Sequence, residues 1–266
     1  MTLIRFFSLT FLLLLASLAF AGTDGDGVPD EIDAFPNDPS ASVDSDNDGY
    51  PDAWNPGQSR PDSNSDLFQD FYPNDSSRYH ASMADALAGL ADAGLRGCLE
   101  TLYPTVEDIS GVTSLNCPGE DVYSLSGIEN FVNLQEAILY DNFIESVVPF
   151  VQLTKLRKIR MAFNLVSDSE AQALAPMVGL RDITLRGQPI TNLGFLSGMK
   201  NLQIFDCQEC DIQDLSPLQD LGELIGISVR VNDITDVSVL GGLPKLDFLD
   251  LRENNISDVS SFSVLS

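Results

Sequence analysis

Residues 202–221, Leu202-Gln203-Ile204-Phe205-Asp206-Cys207-Gln208-Glu209-Cys210-Asp211-Ile212-Gln213-Asp214-Leu215-Ser216-Pro217-Leu218-Gln219-Asp220-Leu221, carry apolar or cysteine side chains at positions 1, 4, 6, 9, 11, 14, 17 and 20. The following stretch repeats the spacing with Leu224, Ile227, Val229, Asn232, Ile234, Val237, Leu240 and Leu243. Working outward in both directions, the same register starts at Val112, Leu134, Leu156, Leu180, Leu202, Leu224 and Leu246. Every step is 22 residues except the third repeat, which has 24. A period of this length is the mark of a solenoid, in which each coil buries its apolar residues only against its neighbours. Apolar residues at positions 4 and 6 around a polar position 5 describe a short strand with one face inward.

The ninth position reads Glu120, Asn142, Asn164, Gln188, Cys210, Asn232 and Asn254, and a turn such as Leu215-Ser216-Pro217-Leu218 closes the coil. This pattern resembles the leucine-rich repeats of the internalin-like bacterial class. The resemblance implies an α/β-type solenoid, a horseshoe with short parallel strands lining an open concave surface. It also implies an inward side chain at position 9 bonded to the turn backbone of neighbouring coils. Met83 to Leu102 carries Ala, Leu and Met at helical spacing and reads as a helical N-terminal cap, with Ile109 to Leu115 leading into the first strand. The expected division is a cap at 81–111 and seven repeats at 112–266, and the resemblance covers both.

Four cysteines are present. Cys98 in the cap and Cys117 at an inward position of the first strand are expected to form a disulfide, the alternative being two separately buried thiols. Cys207 and Cys210 spell C-x-x-C, a spacing that elsewhere signals redox or metal chemistry. Both fall at inward repeat positions, so they are expected to be reduced and buried, with a bridge between them as the alternative.

Residues 1–21 open with Arg5, continue through an apolar run from Phe6 to Leu18 and end in Ala19-Phe20-Ala21, the pattern of a cleaved signal peptide. A mature chain starting near Gly22 is then expected to be secreted or at the cell surface, with the periplasm as a further compartment, and to carry no membrane span after cleavage. The 40 acidic and 14 basic residues give a net charge of −26, which argues against nucleic acid or an anionic membrane as partner.

The acid is concentrated in residues 22–80, where 13 Asp and one Glu face Arg60 and Arg78, a net of −12. Asp44-Ser45-Asp46-Asn47-Asp48-Gly49-Tyr50-Pro51-Asp52 sets oxygens at positions 1, 3, 5 and 9 of a calcium loop, with the Tyr50 carbonyl at position 7 and Gly49 where the chain must turn sharply. Position 12 of that loop falls on Asn55. An earlier copy supplies Asp24, Asp26, Gly27, Asp30 and Asp33 at positions 3, 5, 6, 9 and 12. The run Asp33 to Pro39 recurs 37 residues later at Asp70 to Ser76, and Asp62, Asn64 and Asp66 precede the second copy at alternate positions, so three oxygen clusters are expected. These motifs resemble thrombospondin type 3 repeats, which implies that calcium, as the cofactor, orders a segment with almost no apolar core. The stretch Ala53 to Ser65 departs from that pattern and lengthens the second loop.

His80 is the single histidine and has no Ser or Cys motif to serve, which excludes a catalytic triad or histidine-bound zinc. The chain is read as a non-enzymatic binding protein whose partner is another protein or a surface glycan. The expected ligand face is the concave one, where Tyr140, Arg160, Phe163, Arg186, Asp206, Arg230, Phe248 and Arg252 point outward beside Lys158, Glu136, Asp182 and Asp250. The alternative is a structural or adhesion component in a cell-surface or matrix assembly, with the acidic segment as a calcium-stiffened spacer. Leu249, Leu251, Ile256, Val259, Phe262 and Leu265 are expected to leave the last coil apolar and open, in a monomer.

Overall fold

The computed structural model describes residues 22–58, 62–65, 67, 69–77, 79 and 81–260, and the chain parts into two compact units between Ala81 and Ser82. The expected signal peptide, Asp66, His80, Phe262 and Leu265 lie outside the described residues.

The second unit is a leucine-rich-repeat solenoid. Its strands β1 (Ser114–Asn116), β2 (Glu136–Ile138), β3 (Lys158–Arg160), β4 (Asp182–Thr184), β5 (Ile204–Asp206), β6 (Gly226–Ser228) and β7 (Phe248–Asp250) form one parallel sheet in sequence order. Each strand begins two residues after the start of its repeat, so the sheet pairs equivalent positions: Glu136 with Lys158, Lys158 with Asp182, Asp182 with Ile204. The two extra residues of the third repeat leave this register intact. They are taken up on the return side, where a short helix, Asp168–Gln172, replaces the 3-10 turns seen at Gly194–Leu196 and Ser216–Leu218.

The inward columns are the core. Position 4 (Leu115, Ala137, Ile159, Ile183, Phe205, Ile227) and position 6 (Cys117, Leu139, Met161, Leu185, Cys207, Val229) are fully buried, and Phe131, Phe150 and Phe195 fill the space behind them. In the seventh coil the corresponding Leu249 and Leu251 are half-buried and Val259 is exposed.

The ninth position does the bonding that the resemblance implies. Asn232 accepts from the Ile212 amide at 2.9 Å and donates to the Cys207 and Val229 carbonyls, and Asn142, Asn164, Gln188 and Asn254 make equivalent bonds. Such buried amides satisfy backbone groups that the tight turns leave without partners. Two positions depart from the expected column. Glu120 is exposed, because no coil precedes it. Cys210 has no amide to offer, and it is not a free thiol: its sulfur is bonded to that of Cys207, with Cα atoms 5.7 Å apart. That corrects the expectation of two reduced thiols. Positions 6 and 9 both point inward around one tight turn, which brings the sulfurs together and ties the coil covalently where the amide ladder is interrupted.

Every coil also turns through the left-handed region at position 8, at Gly119, Asp141, Phe163, Gly187, Glu209, Val231 and Glu253. Gly187 meets a second demand there, since the Phe163 ring lies so close that a Cβ would fall 2.5 Å from its edge.

The cap consists of α1 (Met83–Gly89) and α2 (Ala93–Leu102). Asp92 begins α2 by accepting from the Leu95 amide at 2.9 Å, and its second oxygen accepts from the Tyr123 and Ser124 amides of the first coil at 2.8 and 3.0 Å. One buried carboxylate thus takes the place of the missing preceding coil. Cys98 in α2 is bonded to Cys117, with Cα atoms 5.8 Å apart.

Among its described residues the first unit has no α-helix and no strand ladder, only an isolated antiparallel bridge between Ala41 and Trp54. Its buried positions are mostly polar: Asp33, Asp38, Ser40, Ser42 and Asp70, beside Ala41 as a buried apolar residue. Asp38 accepts from the Ser40 and Ser63 hydroxyls at 2.6 and 2.5 Å and from Ser65 at 2.6 Å. Burial acts to raise its pKa, but these serine hydrogen bonds outweigh it and hold the carboxyl below the usual range.

Candidate functional site

The acidic loops of the first unit follow one rule. Each Asp at an alternate position spends Oδ1 on a local backbone amide: Asp24 on Asp26, Asp46 on Asp48, Asp48 on Tyr50, Asp33 on Phe35 and Asp70 on Tyr72. The Oδ2 atoms of all five are buried without a hydrogen-bond partner. Carboxylate oxygens of Asp24, Asp26 and Asp33 lie within 4.8 Å of one another, and so do those of Asp44, Asp46 and Asp48. Burial pushes the Asp33, Asp48 and Asp70 carboxyls above their ordinary values, and neighbouring carboxylates push the same way. An ionised oxygen buried without a donor is costly, and several converging on one point repel one another. A hard divalent cation of the calcium type, which takes six to eight oxygen ligands, removes both penalties at once, so the residues present fit it.

The two loops are built alike. Thr23 donates to Asp30 as Ser45 donates to Asp52, through both backbone and hydroxyl. The Asp33 amide donates to the Pro29 carbonyl, and the Asp70 amide donates to the Pro51 carbonyl. Asp70 is therefore the counterpart of Asp33. It stands 19 residues after Pro51 where Asp33 stands four after Pro29, a 15-residue excursion. Burial, with Asp48, Asp46 and Asp52 nearby, raises its pKa, but among the described residues the carboxylates within 4.8 Å of one another in the second loop are those of Asp44, Asp46 and Asp48, without Asp70.

The structure places the other expected ligands differently. Asn55, at position 12 by counting, instead donates to Asp26 Oδ2 in the first loop at 2.7 Å and to the Pro39 carbonyl. Asp30 and Asp52 are occupied by Thr23 and Ser45, and hydrogen bonds from Thr23 lower the Asp30 pKa. Asp44 accepts from the Asn47 and Gly49 amides, the contact that places Gly49 at φ 94°. Tyr50 stacks its ring on Tyr79, with centroids 4.2 Å apart. Among the described residues Asp62 joins neither carboxylate group, and the Asn64 amide donates to the Asn37 carbonyl. Asp66 cannot be placed with them, being outside the described residues.

On the solenoid, the eight expected ligand-face residues share the concave side of the sheet and its rim. The five cations there are all engaged. Lys158 pairs with Glu136 at 2.7 Å, Arg160 with Asp182 at 2.6 Å, Arg186 with Glu209 at 2.5 Å, Arg230 with Glu253, and Arg252 with Asp250 at 2.6 Å. The Arg252 hydrogen bonds hold the Asp250 carboxyl at about 2, and the bond to Asp182 raises Arg160 further. Asp206 accepts from Gln208. Apolar side chains are exposed on the same face: Tyr140, Phe163, Ile204 and Phe248, of which Phe163 carries the Arg186 guanidinium 5.2 Å over its ring. Arg186 and Arg230 pair across coils because position 7 of one coil faces position 8 of the next, 23 residues on, whereas Arg252 pairs with Asp250 of its own coil.

No protein-family model matches the chain, and no curated protein matches it either. Solved structures do. Internalin C2 of Listeria monocytogenes is 26% identical with a TM-score of 0.55, over 68% of this chain and 92% of that one. An internalin F of the same organism is 23% identical with a TM-score of 0.57, over 68% and 62%. The functional domain of InlJ from Listeria monocytogenes, which includes a cysteine ladder, is 17% identical with a TM-score of 0.51, over 69% and 50%. Among the described residues no helix is long and apolar enough to cross a membrane. Seven parallel strands in one open sheet, an asparagine ladder and these likenesses together make the second unit a leucine-rich-repeat solenoid with the architecture of the Listeria internalins.

Proposed function

We propose that the chain is an extracellular, non-enzymatic recognition protein that binds a protein partner through the concave face of its solenoid, with calcium ordering the acidic unit ahead of it. The observation that carries the recognition reading is the inverse accounting of charge and apolar surface on that face. Its cations are neutralised by neighbouring acids, while Tyr140, Ile204 and Phe248 are exposed. Interfaces draw their energy from desolvated aromatic and aliphatic anchors rather than from paired surface charges. The likeness to internalin C2 supports the same direction. Asp24, Asp26 and Asp33 would hold one calcium ion, and Asp44, Asp46, Asp48 and Asp70 another, which would neutralise the repelling oxygens and stiffen a segment that has no apolar core.

Cross-linking of the mature chain to proteins of the surrounding medium and outer surface, with and without calcium, tests the recognition reading. A partner captured by the parent chain should be lost when Ile204 and Phe248 are both changed to Asp, and retained when Arg230 and Glu253 are exchanged for one another. Capture that ignores the first pair of changes rejects the concave face.

A further inference from the structure

The apolar residues that face solvent are not confined to the concave side. Tyr123 is 62% exposed and stacks on Phe143, itself 42% exposed, with centroids 4.9 Å apart and planes within 14°. Leu165, 50% exposed, occupies the next rung of the same backbone ladder: the Phe143 amide donates to the Val122 carbonyl, and the Leu165 amide donates to the Ile144 carbonyl. Adjacent rungs of a parallel ladder stand roughly 4.8 Å apart, so the three side chains form one strip along the edge of coils one to three. The repeat does not require it, because the positions equivalent to Phe143 and Leu165 in later coils are Pro189, Asp211, Asp233 and Asn255.

The strip has a charged border. Glu120, Asp121, Asp141 and Glu145 are exposed around it, and none of the four is in an ion pair among the described residues. That is the reverse of the concave face, where every cation has an acid beside it. Exposed aromatic side chains inside a ring of uncompensated carboxylates are complementary to apolar anchors flanked by cations. A second copy of this chain would oppose the same four acids to themselves, and an anionic membrane would be repelled by them.

We infer that the edge strip Tyr123, Phe143 and Leu165 is a second recognition surface, separate from the concave face, and that it takes a protein segment presenting aromatic or aliphatic anchors next to Lys or Arg.

Selection of a random-peptide display library on the full mature chain in calcium, followed by titration of the enriched peptides in free form, tests this. The enriched peptides are expected to combine Trp, Phe or Leu with an excess of Lys and Arg. Changing Tyr123 and Phe143 together to Ser should weaken them by about tenfold or more, the loss of one buried aromatic anchor. Reversing Asp141 and Glu145 to Lys should weaken them by a similar factor and flatten their salt dependence. The charge reversals keep the strip itself intact, so they decide the matter should the serine pair disturb folding by circular dichroism. Changing Ile204 and Phe248 to Asp should leave these peptides bound. An absence of enriched peptides, enrichment without a basic excess, or equal binding to both edge variants overturns the inference. Peptides lost only on the Ile204 and Phe248 changes also overturn it, while supporting recognition at the concave face.

Discussion

Asn55 Nδ2 lies 2.7 Å from Asp26 Oδ2, while the Asn55 side-chain carbonyl accepts from the Ser42 hydroxyl at 2.6 Å. A residue at the end of the second acidic loop therefore orients a carboxylate of the first. Changing Asn55 to Ala should weaken calcium at the first cluster by about tenfold, the worth of one hydrogen bond to a charged group. Changing Asp70 to Asn should abolish binding at the second cluster and leave the first. Trp54, the single tryptophan, bridges to Ala41 and directly precedes Asn55, so its emission during a calcium titration follows the first change, and calorimetry follows the second.

Without calcium, stability of the first unit should depend on pH in an unusual sense. Asp33, Asp48 and Asp70 have raised pKa values when folded, so their contribution is fully present below the ordinary carboxylate pKa and is lost as pH rises through the folded values. In EDTA the unit should therefore tighten as pH falls from neutrality toward about 4. Below that, Asp38 and Asp30, whose pKa values are lowered, lose their hydrogen-bonded ionised forms and reverse the trend. Trp54 emission against pH, with EDTA and with saturating calcium, checks this; calcium should remove the neutral-pH loss.

In the solenoid, changing Asn232 to Ala would strip partners from the Ile212 amide and the Cys207 carbonyl and should cost about 3 kcal/mol by denaturant unfolding. Its neighbour Val231 is β-branched yet sits at φ 57°. Changing Val231 to Asn, a residue that tolerates this conformation, should raise stability by about 1 kcal/mol.

Mass spectrometry of the denatured, unreduced protein should find all four cysteines protected from alkylation. Replacing Cys98 and Cys117 by Ser should cost about 3 kcal/mol in the chain-entropy account, and replacing Cys207 and Cys210 about 2 kcal/mol, because their loop is short. The first loss should fray the N-terminal coil, seen as faster amide exchange at Leu115 than at Ile183.

The register of the solenoid is legible because a coil can bury its apolar residues in one way only, so Leu134 and Leu202 announce the strands that begin two residues on. Four of the five ion pairs of the concave face are equally a matter of register, but they require adding or subtracting one coil, as from Arg186 to Glu209; Arg252 pairs with Asp250 within its own coil. Asp70 is different. Counting from Asp44 ends at Asn55, and only the matching backbone bonds of Asp33 to Pro29 and Asp70 to Pro51 make Asp70 the counterpart of Asp33. Asp92 gives no signal beyond a helix N-cap, because its second role depends on where the first coil happens to pack. Cys210 shows a real ambiguity: the column accepts Cys as readily as Asn, and only the proximity of Cys207 turns it into a bridge.

Calorimetric titration of the full mature chain with calcium at neutral pH tests the central claim about the acidic unit most directly. Two ions should bind with dissociation constants of the extracellular class, about 0.1 to 1 mM, and one of the two should vanish in the Asp70→Asn variant. No calcium uptake, or uptake unchanged by that substitution, would contradict the account.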